Sequence, residues 1–158
     1  MKFFVVAVLT LLGTRGFADK VLHVSGNRAA ELYAAFTGAG AKPVNGAFDI
    51  GATNCEASTS AERGDPNAKW EYVTEFNCSI DGTPSYNNSD PINGSKAQAI
   101  ITALNRAGIH SYRSPASGRN YTKSVFVQSV SCEKAGREED ESDLMPPTPA
   151  LFGCFIRI

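Results

Sequence analysis

The feature that most constrains this chain is a two-cysteine pattern that occurs twice. Residues 47–56, AFDIGATNCE, align with residues 124–133, SVFVQSVSCE, and residues 75–80, EFNCSI, align with residues 151–156, LFGCFI. Cys55 and Cys78 thus belong to one copy, Cys132 and Cys154 to the other. Ahead of each copy lies an amphipathic stretch: residues 29–41, AAELYAAFTGAGA, superimpose without a gap on residues 97–109, AQAIITALNRAGI. The first sets Leu32, Ala35, Phe36 and Ala39 on one face, the second Ile100, Ala103, Leu104 and Ala107, the three-and-four spacing of a helix with one buried side. Gly40 and Gly108 fall where a left-handed residue closes a last helical turn. At the starts, Asn27 or Ser25 and Asn93 or Ser95 are the expected caps of the free amides.

Each unit therefore reads helix, strand with cysteine, loop, strand with cysteine, over about residues 26–81 and 94–158. A leading strand is expected at residues 20–25, giving the order β-α-β-β-α-β-β. The fold class this predicts is α+β: internally duplicated helix-strand-strand units, one antiparallel sheet and both helices on one of its faces. Trp70, Tyr72, Thr74, Phe76, Cys78 and Ile80 alternate with Glu71, Val73, Glu75, Asn77 and Ser79, and Phe152, Cys154, Ile156 and Ile158 alternate with Gly153, Phe155 and Arg157. Period two assigns both cysteines to the covered, apolar face.

Four cysteines allow three pairings. In a hairpin, the midpoint of the loop sets which residues face each other. The midpoint of Cys55 and Cys78 lies beside Asp65-Pro66, a turn signal, and that of Cys132 and Cys154 falls at Asp143, in an acidic, proline-rich loop. The expected bridges are Cys55–Cys78 and Cys132–Cys154, each within a unit, with a pairing across the two hairpins as the alternative. As a layout, two such units with disulfides resemble secreted inhibitors of the β-lactamase inhibitory protein type and cystatin-like domains, although no motif of either occurs, and a shared topology does not carry function with it.

Residues 1–18 read as a cleavable secretory signal: Lys2, an apolar run over residues 3–12, then small residues ending at Ala18. The run is too short for a bilayer, which takes roughly 20 residues, so no stable membrane anchor is expected. That leaves residues 19–158 as a single disulfide-bonded domain in the periplasm or outside the cell, where disulfides persist. The chain holds 15 basic and 16 acidic side chains. Lys2 and Arg15 leave with the signal and no acid does, so the balance turns more acidic, which argues against nucleic acid as a partner.

No motif for a cofactor or metal is present. The chain has only two histidines, His23 and His110, and with the cysteines bridged no third nitrogen or sulfur ligand is left for zinc. There is no Gly-x-Ser-x-Gly elbow, and the Gly38 and Gly40 pair ends a helix instead of opening one. The remaining signals lie in loops. Residues 111–120 lengthen the second unit and, with Tyr121, carry Tyr112, Arg113 and Arg119, residue types enriched at interface hot spots. Residues 137–143, REEDESD, and the Leu144, Met145 and prolines after them do not match a calcium loop; they read as a solvated hairpin tip that can present Glu139, Asp140, Leu144 and Met145. Sequons occur at Asn77, Asn87, Asn93 and Asn120. The function expected is a non-catalytic binding or inhibitory module that contacts another protein through the loops near residues 58–68, 111–120 and 134–150. Two further readings are a small hydrolase using His110 or His23 and a structural component of the cell envelope.

Overall fold

The computed structural model describes residues 19–83, 85–86, 90–113, 121–135 and 151–158. In chain order the elements are β1 (Val21–Ser25), α1 (Asn27–Ala39), β2 (Ala47–Ile50), β3 (Thr53–Glu62), β4 (Glu71–Ile80), β5 (Ile92–Asn93), α2 (Ser95–Arg106), β6 (Tyr112–Arg113), β7 (Tyr121–Val127), β8 (Ser129–Ala135) and β9 (Leu151–Arg157). Both helices form where the apolar spacing places them. α1 buries Ala29, Leu32, Phe36 and Ala39, and α2 buries Ala97, Ile100, Ile101, Ala103 and Leu104.

The helix starts differ from expectation. Ser25, Asn27, Asn93 and Ser95 cap nothing: the N-caps are Gly26, at φ 65° and ψ −139°, and Gly94, at φ 63° and ψ −134°, and neither start has a side-chain cap hydrogen bond. This backbone region is nearly closed to residues with a β-carbon. It lets the chain turn from strand to helix within one residue while staying tied to the sheet, because Gly26 N–H donates to the Phe152 carbonyl (3.1 Å) and Gly94 N–H to that of Phe76 (2.9 Å). A β-carbon at either position would meet nothing within 4 Å, so its cost is backbone strain alone. Gly26→Ala and Gly94→Ala are each expected to lower the unfolding free energy by about 2 kcal/mol in urea titrations. Gly38→Ala, inside α1 with open space around it, should instead stabilise by about 0.5 kcal/mol.

The strands form two antiparallel sheets where one was expected, a four-stranded sheet ordered β1-β9-β8-β2 and a five-stranded sheet ordered β5-β4-β3-β7-β6. The division has a local cause. Phe48 and Ile50 point inward from β2, but the next buried pair is Thr53 and Cys55; on the facing chain Val125 and Val127 are followed by Val130 and Cys132. Strict alternation is broken once on each strand, at opposed positions, and the register is unchanged across the break, since Ile50 faces Val130 and Thr53 faces Val127. With no residue inserted on either side, both strands change face together and the sheet turns into a second one.

α1 packs on β9, β8 and β1, α2 on β4, β3 and β5, and the helices touch each other. The core between them and the sheets includes both disulfides. Cys55 is bridged to Cys78 and Cys132 to Cys154, each with Cα atoms 4.1 Å apart, near the close spacing of a non-hydrogen-bonded antiparallel pair. Sγ of Cys78 lies 3.8 Å from the Ala97 carbonyl oxygen and Sγ of Cys154 3.6 Å from that of Ala29. A bridged sulfur has no proton to donate, so these are packing contacts against the first turn of each helix.

The segment between β4 and β5 closes the outer edge of β2. Asp49 N–H donates to Ser85 Oγ (3.1 Å), and Thr83 Oγ1 donates to the Asp49 carbonyl (2.7 Å). Tyr86 is drawn into the core by this segment, and its hydroxyl has no hydrogen-bond partner among the described residues. A buried hydroxyl left unpaired is a net cost, so Tyr86→Phe is expected to raise stability by about 1 kcal/mol. Burial raises the Tyr86 pKa above 10.0, and the Asp90 carboxylate adds to the shift. The fold therefore holds the neutral phenol. Stability is intact below the ordinary tyrosine pKa and falls as the pH climbs from there through the raised value, and denaturation of Tyr86→Phe should lack that part of the alkaline loss.

Candidate functional site

β3 and β4 pair from Thr53–Ile80 out to Glu62–Glu71, whereas among the described residues β7 accompanies β3 only as far as Thr59–Tyr121. The pairs Ser60–Val73, Ala61–Tyr72 and Glu62–Glu71 therefore form, among the described residues, a two-stranded arm. Length explains why the helices leave it bare. The 12 residues of α2 span about 18 Å, while the ten residues of β4 span roughly 33 Å. The alternation of Trp70, Tyr72 and Thr74 is real, but α2 starts beside Phe76 and these three lie beyond it, exposed. The apolar face of this strand, expected to be covered along its length, is covered only from Phe76 onward.

The arm has two chemically distinct faces. On the side that continues the core, Tyr72 pairs with Ala61, Thr74 with Thr59 and Phe76 with Ala57, and β7 adds Tyr121 beside Thr59 and Lys123 beside Ala57. Thr59 is buried and its hydroxyl lies 2.9 Å from that of Thr74. On the other side stand Glu56, Glu62, Glu71 and Glu75, with Glu62 directly opposite Glu71. Like charges so placed weaken the pairing by a few tenths of a kcal/mol. The tip offsets this with its own structure: Asp65 accepts from Asn67 N–H through Oδ1 (2.8 Å) and from Ala68 N–H through its carbonyl (3.0 Å). One step beyond the last pair, the Arg63 guanidinium sits 5.0 Å from the Trp70 ring centroid, a cation–π contact that orients both side chains.

β6 brings part of the lengthened loop to the same end of the molecule. Tyr112 faces Ser124 and Arg113 faces Lys123 across the β6–β7 ladder, and Lys123 Nζ lies 6.0 Å from the Tyr121 ring centroid. Trp70 is 45% exposed, Tyr72 63% and Tyr112 65%. Tyr121 thus stands on the face of Tyr72, whereas Tyr112, in the row of Ser124 and Glu56, stands on the opposite face. Arg63 belongs to the expected contact loop near residues 58–68, and the structure adds Trp70 and Tyr72, which the ratio of strand length to helix length reveals.

The third expected contact loop starts from the other sheet, where the β8–β9 ladder stops at Ala135–Leu151. Arg119, Glu139, Asp140, Leu144 and Met145 lie outside the described residues.

His23 stacks on Phe155 with ring centroids 4.7 Å apart. His110 follows the last turn of α2, and its neighbour Ser111 directs its hydroxyl to Asn105 Oδ1 (3.2 Å). Among the described residues neither imidazole meets a carboxylate or hydroxyl, and no three His, Cys, Asp or Glu side chains converge as a metal site. The groove between α1 and α2, about 490 Å³, is lined largely by alanines and crossed by the solvent-exposed Glu31–Arg106 ion pair (3.0 Å). No family model matches the chain, and no curated protein or solved structure matches it either.

Proposed function

We propose that this chain is an exported, non-catalytic binding or inhibitory module whose partner is another protein, engaged through the β3–β4 arm and residues 111–121. The observation that carries the reading is the arm itself: a ladder continued past its helical cover, anchored at its base by Cys55–Cys78, with Trp70 and Tyr72 exposed on one face. Aromatic side chains held on a rigid ladder lose little entropy on contact, which is why they dominate hot spots. Two buried disulfides suit a chain that works in an oxidising compartment after removal of residues 1–18, and among the described residues no helix is long and apolar enough to cross a membrane.

The same proposal takes residues 19–158 as one domain built by duplication of units 26–81 and 94–158. Matching registers support it. Val24 faces Cys154 as Ile92 faces Cys78, and Phe48 faces Cys132 as Val125 faces Cys55. On this reading the two copies kept their bridges and diverged in their loops.

The test uses oxidised protein immobilised against the exported fraction of its source, beside the Trp70→Ala/Tyr72→Ala double variant. A defined protein held by the parent and bound about 30-fold more weakly by the variant supports the proposal, provided the urea midpoint is unchanged. Equal retention by both removes the arm from the interface. Glu139→Ala/Asp140→Ala serves as the comparison.

A further inference from the structure

Among the described residues β1 is the outer strand of its sheet and pairs on one side only, with β9. Which of its backbone groups face β9 follows from the flanking bonds. Ile158 N–H donates to the Lys20 carbonyl (2.9 Å) and Gly26 N–H to that of Phe152 (3.1 Å), so in this register the even-numbered residues bond to β9. The N–H and C=O groups of Val21, His23 and Ser25 point away from the sheet, and among the described residues nothing bonds to them.

The other sheet edges are short, charged or covered: β4 runs past β5 over residues 71–76 but carries Glu71 and Glu75 there, and β3 ends in Glu62. β5 and β6 have two residues each, β5 directly follows Pro91, and the outer edge of β2 is held by Thr83 and Ser85. β1 carries no such protection: it has five residues, VLHVS, an uninterrupted register, and no proline, lysine or acid. Open edges of this kind are normally blunted because they template pairing with another strand.

We propose that β1 is the edge at which two copies of this chain join, strand against antiparallel strand, about a two-fold axis through His23. In that register Val21 faces Ser25 of the second copy and His23 faces its own equivalent, so every outward N–H and C=O of the strand finds a partner. A slip of two residues leaves some of them unpaired at each end. On the inner face the register sets Leu22 against Val24, both apolar. Along this edge runs a cavity of about 500 Å³, bounded by Leu22, Val24, Asn27, Arg28 and Ala107, which gives the incoming side chains room. On the outer face the His23 rings of the two copies become neighbours, each stacked on its own Phe155, in one row of four rings. A two-fold contact of this kind is closed and joins two four-stranded sheets into one.

Sedimentation of the oxidised protein at up to on the order of 0.1 mM should show a dimer, and amide exchange at Val21, His23 and Ser25 should slow at least tenfold as it forms. His23→Pro removes only an outward N–H and leaves the β9 ladder complete, so it should be a folded monomer. His23→Lys, which sets two cations side by side, should also be monomeric with an unchanged melting curve, and it decides the matter if the proline variant does not fold. A parent that stays monomeric at every concentration overturns the proposal, as does a dimer that survives His23→Lys. Protection of these amides only when a different exported protein is added overturns it too. Arm variants such as Tyr72→Ala should leave the dimer intact, so this result is independent of the partner-binding test.

Discussion

Replacing Cys132 and Cys154 together by alanine is expected to lower the unfolding free energy by about 3 kcal/mol, and Cys55→Ala with Cys78→Ala by the same amount. The bridges span 22 and 23 residues of sequence. In the chain-entropy account, closing loops of that size removes similar numbers of conformations from the unfolded chain. Against a total stability of about 5–15 kcal/mol, loss of both bridges leaves the fold marginal. All four cysteines are essentially inaccessible, at 0–2% exposure, so a thiol reductant reaches them only through opening of the fold. Reduction of the native protein should therefore be slow and should accelerate in sub-denaturing urea. Urea titration of each double variant checks the magnitude, and a loss under about 1 kcal/mol for both would contradict the equal-loop argument.

Phe36→Ala should cost about 4 kcal/mol. Phe36 is fully buried in α1, with its ring centroid 6.1 Å from that of Phe48, and Tyr33 extends the cluster to Phe48 and Phe152, each at 5.3 Å. Removing the ring forfeits its transfer free energy and leaves a cavity between α1 and the four-stranded sheet that a helix tied to that sheet at Gly26 has little freedom to close. Leu104 takes the aligned place in α2 and is equally buried. It sits in no comparable aromatic cluster, and Leu104→Ala should cost less, about 3 kcal/mol. Phe36→Leu, which keeps most of the volume, should lose only about 1.5 kcal/mol. Thermal or urea unfolding of the three variants gives the ranking directly.

Both effects rest on features that local pattern alone made legible. The helices were readable because a 3.6-residue period needs no knowledge of what covers it, and Leu32, Phe36, Ile100 and Leu104 are buried as that period requires. The bridges were readable because a hairpin's pairing follows from where its turn lies. The helix starts were not. Asn27 and Ser95 are good capping residues by type, yet the chain is tied to Phe152 and Phe76, partners more than a hundred residues away in one case and on a preceding strand in the other, and only glycine takes the backbone turn those bonds require.

What the sequence by itself determined is thus the two helices, the two cysteine-bearing hairpins and the cysteine pairs, all consequences of interactions among near neighbours or across one loop. The tertiary structure decided the rest. It set the simultaneous change of face at residues 51–52 and 128–129, because two strands must bend together to keep their hydrogen bonds. It also uncovered the arm that carries Trp70 and Tyr72, because a helix rises less than half as far per residue as the strand beneath it. And it left the outward amides of Val21, His23 and Ser25 unpaired among the described residues, because which strand lies at a sheet's edge is set by pairings between strands far apart in sequence, here β1 with β9.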